Sequence, residues 1–145
     1  MVIRSAEALW EGNLKDGKGK MKLGSGLFDG PYSFATRFEH APGTNPEELI
    51  GAAHAGCFSM ALSLILGQAG YKVDRIHTKA RVTIDKVGDG YKITTIDLET
   101  EGTVPGIDEK TFKKAAEDAK KGCPVSMALT GVEIRLVAKL EKKAA

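Results

Sequence analysis

The sequence predicts an α+β chain in which antiparallel sheets pack around one long, buried, apolar helix. Three observations carry that reading: short runs of alternating apolar residues broken by Gly-rich turns, one stretch from Leu49 to Leu66 without a charge, and a second, amphipathic helical run nearer the C-terminus. A length of 145 residues suits a single domain spanning 1–145 rather than two full domains. Hydrophobic residues at 42% and charged residues at 28% allow a packed core and exclude disordered and collagen-like classes. The net charge of +2 is too balanced to recommend nucleic acid or an acidic membrane surface as the main partner.

Taken in order, Ala8–Trp10, Met21–Leu23 and Tyr32–Phe38 are apolar runs separated by turns, among them the hairpin-favouring pair Asp29-Gly30. They predict an antiparallel meander over the first forty residues. In its last strand Tyr32, Phe34, Thr36 and Phe38 alternate with Ser33, Ala35, Arg37 and Glu39, which turns Arg37 away from the aromatic face toward water or a pocket. Lys15, Lys18, Lys20 and Lys22 form a basic stretch with no interleaved aromatic residues, so a solvated hairpin is expected there and no nucleic-acid site.

Asn45-Pro46-Glu47-Glu48 is a helix start: Asn45 as N-cap, Pro46 at the first helical position, Glu48 three residues after the cap. The uncharged stretch that follows has the length of a membrane span, but Gly51, His54, Gly56, Ser59 and Ser63 interrupt it, so a core helix buried on nearly all sides is expected and no membrane. Gly51, Ala52, Ala55 and Gly56 flatten its first half for a close backbone approach. So small a chain has little material to wrap such a helix, which predicts a homodimer.

Beyond Gly70, Ile76, Thr78, Ala80, Val82 and Ile84 alternate with polar residues in a half-exposed strand. Gly88-Asp89-Gly90 turns it into a partner, Tyr91–Thr100, whose apolar phase slips between Ile93 and Ile96 as a β-bulge requires. Phe112, Ala115, Ala116 and Ala119 mark one face of a helix over 109–121, with Gly122 suited to end it in the left-handed conformation. Val132, Ile134, Leu136 and Ala138 form a last strand, and the tail Glu141-Lys142-Lys143 is expected to fray.

The chemistry-bearing residues are few. The opening Met1–Ser5 carries no basic region followed by an apolar stretch, so no secretory signal is read and a cytoplasmic setting is expected. There, two cysteines are reduced, catalytic or redox-sensing more often than a structural staple, although a disulfide closing the Cys57–Cys123 loop would contribute roughly 4 kcal/mol. Zinc needs four ligands at short paired spacings, which Cys57, Cys123, His40, His54 and His77 do not supply, so no metal is expected.

Cys57 lies midway along the apolar helix, where a thiol is ordinarily inert with a raised pKa. Cys123 precedes Pro124 and caps a short helix, which by spacing alone makes it the better nucleophile. His54, one turn before Cys57, is read as a core histidine ahead of a Cys–His pair, because no Asp or Asn nearby in sequence orients the ring. Glu47 is ten residues before Cys57, roughly 15 Å along one helix, so it acts at that thiol only from an antiparallel partner helix; the plainer reading is a charge placed to suit the helix dipole.

The segment Gly43–Ser63, read as GTNPEELIGAAHAGCFSMALS, closely resembles the signature of the OsmC family, related to the organic hydroperoxide resistance (Ohr) proteins; so do Val104-Pro105-Gly106-Ile107-Asp108 and Lys121-Gly122-Cys123-Pro124-Val125-Ser126. The His54 position and the Arg37 segment look more like the OsmC branch, and Gly56 stands where Ala is expected. The resemblance implies an OsmC-like fold in an intertwined homodimer with two active sites at the subunit interface. It implies a thiol-dependent peroxidase in which Cys57 attacks an organic hydroperoxide or hydrogen peroxide, Cys123 resolves the sulfenic acid to a disulfide, Arg37 and Glu47 activate the site, and an external thiol restores the enzyme. This reverses the spacing-based preference for Cys123. No cofactor is implied, and an apolar wall including Phe58 and Met60 is expected to favour organic hydroperoxides. The alternative from another class is a non-catalytic, stress-related dimer that binds small apolar ligands, its Cys pair structural.

Overall fold

Strand β1 (Ala6–Glu11) pairs antiparallel with β2 (Lys18–Leu23), and β2 with β3 (Asp29–Tyr32), in the computed structural model, which describes residues 1–142. The expected meander is therefore present up to Tyr32. Gly19 sits opposite Trp10 on one side and Tyr32 on the other, and their rings close over it with centroids 5.4 Å apart. A side chain at this position would collide with both rings, which is why the strand carries glycine here. Asp29-Gly30 does not form the turn. Both residues lie in the ladder opposite Lys22 and Met21, and the reversal occupies Leu23–Phe28, where Gly26 takes φ +80°.

The alternation after Tyr32 does not produce a strand. Residues Phe34–Phe38 form a short helix, α1, because Ser33 caps it: the Ser33 hydroxyl accepts from Thr36 N–H at 3.2 Å and the Thr36 hydroxyl accepts from Ser33 N–H at 2.9 Å. Phe34 and Phe38 then lie one turn apart with ring centroids 5.0 Å apart. A period of two over seven residues describes a strand only if a neighbour supplies hydrogen bonds, and β2 is spent opposite Tyr32.

Helix α2 (Pro46–Gln68) starts as expected, with Asn45 Oδ1 accepting from Glu48 N–H at 2.8 Å. The Glu48 carboxylate does not close the box; it accepts from the Thr44 hydroxyl at 2.8 Å. The chain divides into two compact units, Met1–Leu49 and Ile50–Ala145.

In the second unit β4 (Arg75–Val87) pairs antiparallel with β5 (Gly90–Thr103), with the register shift between Thr83 and Ile84 leaving Thr94 as the extra residue of the anticipated bulge. Helices α3 (Glu109–Gly122) and α4 (Pro124–Ala128) lead to β6 (Glu133–Leu140), which runs parallel to β5. The sheets are thus not wholly antiparallel: the helical crossover returns the chain to the end where it started, as a parallel pair requires. Asp97 and Arg135, opposite in that pair, join through two hydrogen bonds of 2.6 and 2.9 Å, and the Arg135 partner holds the Asp97 carboxyl below its usual range. Gly122 stays helical; Cys123 ends α3 at φ −67°, ψ 138°, the extended conformation that a following proline imposes. Glu141 is held, its N–H donating to Gly102 O at 2.7 Å and its carboxylate accepting from Thr103 Oγ1 at 2.7 Å. Lys143 of the expected frayed tail lies outside the described residues.

The core is built from Phe58, Leu62 and Leu66 of α2, Ile96 and Leu98 of β5, and Phe112, Ala115, Ala116 and Ala119 of α3. Only one stripe of α2 is buried, through Gly51, His54, Phe58, Leu62 and Leu66, while Met60 is 77% and Leu64 61% exposed. One chain offers a single wall to this helix, so burial on nearly all sides is not reached within it. Of the two glycines, Gly51 is closely approached, by Val82 and Ala80 of β4, whereas Gly56 faces open space. Length and composition would also suit a membrane span; the buried stripe, with its histidine, is that of a core helix.

Gly102 lies directly under the Phe112 ring, where a methyl group would stand 2.7 Å from two ring carbons. Gly102→Ala is therefore expected to cost about 1–3 kcal/mol by overpacking, and Phe112→Ala about 3–5 kcal/mol by leaving a cavity. Urea denaturation of the two single variants and the double variant checks both: the double falls short of the sum, because removing the ring removes the clash.

Candidate active site

Cys57 is half-buried on α2, and Cys123, fully buried, occupies the junction of α3 and α4; both are free thiols. Chain folding has brought Cys57 close enough to the Cys123 thiol and to the Val125 backbone N–H for both to act on its sulfur. Burial pushes the Cys57 thiol above its ordinary value; the Val125 N–H opposes that, and the neighbouring Cys123 thiol reinforces it. The raised value matches the expectation for a thiol in an apolar helix, and no cation among these neighbours counteracts it.

Cys123 caps α4 as the spacing anticipated, its sulfur accepting from Ser126 N–H at 3.3 Å with Pro124 at the first helical position. The Ser126 hydroxyl lies 3.0 Å from the same sulfur and 2.7 Å from His54 Nε2. All three residues of this chain are buried, with Cys123 and His54 at 0% exposure and Ser126 at 4%. His54 is thus the core histidine its surroundings suggested, and it is tied to the second cysteine rather than paired with the first. Sequence reasoning passed over Ser126. Apart from its place at the end of a signature segment, its signal was its position three residues after a capping residue, where a side chain turns back toward the cap.

Burial lowers the His54 pKa from its ordinary 6.5, since a charged ring would lack water. The unfolded chain therefore binds a proton near pH 6.5 that the folded chain refuses. The resulting stability is complete above that pH and is lost as pH falls toward the depressed folded value. Urea midpoints measured from pH 7.5 down to 5 should fall, and His54→Gln should flatten part of that slope.

Arg37 and Glu47 form the other pair. Glu47 accepts from Arg37 Nη2 at 2.7 Å and from Nε at 3.1 and 3.2 Å, so the guanidinium fork is fixed by one carboxylate. Arg37 also lies 5.1 Å from the centroid of the Phe38 ring, and Asn45 Nδ2 donates to Thr36 O at 3.0 Å, tying the end of α1 to the start of α2. Glu47 is 5% exposed and has a specific partner, which goes beyond the helix-dipole reading. The two pairs belong to different units of the chain: Arg37 and Glu47 to the first, Cys57 and Cys123 to the second. Phe58 is wholly buried against the core and lines no accessible wall, contrary to expectation, because it shares the inward stripe with His54 and Leu62. Met60 is exposed.

A sequence model of the family described as OsmC-like protein matches residues 39–137, which include both cysteines, His54, Glu47 and Ser126. This chain belongs to the OsmC-like protein family. Its relatives include the peroxiredoxin OsmC of Escherichia coli K12, 55% identical over 129 residues that cover 88% of this chain and 90% of the relative. The organic hydroperoxide resistance protein-like 2 of Staphylococcus epidermidis is 33% identical over 98 residues, 64% of this chain and 66% of that protein. Among solved structures, an organic hydroperoxide resistance protein from Elizabethkingia anophelis has the same fold, with a TM-score of 0.73, 24% identity, and coverage of 97% of this chain and 99% of that one. The OsmC-like fold expected from the signature segments is therefore the fold observed.

Proposed function

We propose that this protein is a thiol-dependent peroxidase that reduces organic hydroperoxides, and hydrogen peroxide, with Cys57 as the attacking sulfur and Cys123 as the resolving one. The observation that carries this is the adjacency of two free thiols from distant segments, of which only Cys57 is partly accessible to a substrate. The Cys57 thiolate attacks the O–O bond; its sulfur becomes a sulfenic acid and the alkoxide leaves, protonated, as an alcohol. Cys123 then displaces the sulfenic oxygen as water to give a disulfide, which an external dithiol reduces. The names of the relatives, peroxiredoxin and organic hydroperoxide resistance protein, support both the reaction and the substrate class.

A thiol pushed toward its neutral form needs a cation for this chemistry, both to hold the thiolate and to receive the departing oxygen. Arg37, with Glu47 fixing its fork, is assigned that part. Because the two are bonded to each other, they reach a given Cys57 together, and the roughly 15 Å of helix rise between Glu47 and Cys57 supports an approach from a second copy. The homodimer this requires is supported by the apolar flank of α2, through Met60 and Leu64, and by exposed Leu9 and Leu27 in the first unit. Residues 1–145 act in it as one domain, with no cofactor and no nucleic acid or membrane partner. The reading requires a compartment that regenerates thiols, which is the cytoplasm.

Thiol titration tests it. One equivalent of cumene hydroperoxide should remove both thiols per chain, and dihydrolipoamide should restore them. An unchanged titre would favour the ligand-binding dimer with a structural Cys pair.

A further inference from the structure

We propose that Ser126 and His54 form a proton relay that activates Cys123 for the resolving step, Ser126 as a catalytic residue in contact with the reacting sulfur and His54 as a positioning residue acting through it. The proposal rests on the peroxidase reading above and concerns its second half. Disulfide formation needs Cys123 as a thiolate. A sulfur with no exposed surface cannot hand its proton to bulk water, so the acceptor must be a protein group. The Ser126 hydroxyl at 3.0 Å is in position for this, and His54 Nε2, 2.7 Å further on, is the basic atom behind it.

A second observation points the same way. His54 Nδ1 is, among the described residues, the one buried side-chain nitrogen or oxygen without a hydrogen-bond partner. A histidine kept only to fill space would be replaceable by an apolar residue at no such cost, whereas a ring that accepts at Nε2 and keeps its hydrogen on Nδ1 is the tautomer a relay needs. Burial keeps that ring neutral and so able to accept a proton.

The step balances as follows. The Cys123 S–H bond breaks and its proton passes to Ser126 Oγ while the hydroxyl proton of Ser126 passes to His54 Nε2. The freed electron pair on Cys123 forms the S–S bond as the Cys57 S–O bond breaks, so the sulfenyl sulfur is reduced and the Cys123 sulfur oxidised. The departing hydroxide recovers the proton from His54 by way of Ser126 and leaves as water. While the thiolate exists, the Ser126 O–H and N–H both donate to it, the latter from its present 3.3 Å.

Rapid-quench kinetics on the reduced protein with equimolar cumene hydroperoxide tests this, with dimedone and iodoacetamide trapping read by mass spectrometry to count sulfenic acid and disulfide separately. Sulfenic acid at Cys57 should form at the parental rate in Ser126→Ala and His54→Gln, then accumulate, because disulfide formation slows by about a hundredfold. Ser126→Thr, which keeps the hydroxyl, should recover most of the lost rate. A parental disulfide rate in Ser126→Ala or His54→Gln overturns the relay, and so does a Ser126→Thr rate no better than that of Ser126→Ala. Ser126→Ala removes a single oxygen, so the outcome stands even where His54→Gln fails to fold. A parent protein that forms no sulfenic acid at all instead overturns the peroxidase reading, and the relay with it.

Discussion

Cys57→Ser is expected to abolish hydroperoxide turnover, lowering it by at least about a thousandfold. A serine hydroxyl at neutral pH is not ionised and does not accept an oxygen from a peroxide, so no slower version of the same route exists. Cys123→Ser should behave differently: it consumes one equivalent of hydroperoxide and stops with a sulfenic acid on Cys57, because the first step does not involve the second sulfur. Consumption of cumene hydroperoxide, counted first without thiol as equivalents per protein and then with dihydrolipoamide as turnover, distinguishes the two variants. Undiminished turnover in Cys57→Ser would remove the assignment, and a Cys123→Ser protein inert from the outset would exchange the two roles.

Arg37→Met is expected to lower the rate of sulfenic acid formation by on the order of a hundred- to a thousandfold, the usual loss when a preorganised charge beside a reacting oxygen is removed. Arg37→Lys should recover only part of it, since an ammonium keeps the charge but cannot match the bidentate contact to Glu47. Mixing two inactive proteins decides where this arginine acts. Cys57→Ser supplies intact Arg37, and Arg37→Met supplies intact Cys57. If the pair works across subunits, random exchange of protomers returns about a quarter of the parental activity, since half the dimers are mixed and each has one complete site. A mixture that stays inactive after exchange, verified by mass, would place Arg37 at the cysteine of its own chain.

The candidate site was legible where its residues announce themselves through neighbours in sequence. The Asn45-Pro46 start and the Cys123-Pro124 cap rest on contacts within a few positions, and the bulge in β5 on a slip of apolar phase along one strand; all three are present. Arg37 was placed on the wrong element, because alternating aromatics imitate a strand and the Ser33–Thr36 capping box that makes them helical depends on two small side chains. Gly122 was expected to end α3, yet the proline two residues on already forces the turn at Cys123. His54 was read as a core histidine and is one, but its partner was not legible: its hydrogen bond runs to Ser126, 72 positions away.

By itself the sequence determined helices α2, α3 and α4, the long strands of the second unit, and the Asn45 and Cys123 caps, because those depend on periodicity and on side chains reaching their own backbone. It also determined that a helix uncharged from Leu49 to Leu66 carries a thiol. Only the tertiary structure decided that the Val125 N–H and the Cys123 sulfur meet Cys57, that Ser126 joins His54 to Cys123, and that Glu47 holds Arg37 in a fork. These contacts arise where the crossover from β5 through α3 and α4 returns to the sheet, and where α1 folds back on the start of α2. Such meetings are set by the packing of whole elements, and no spacing within one element encodes them.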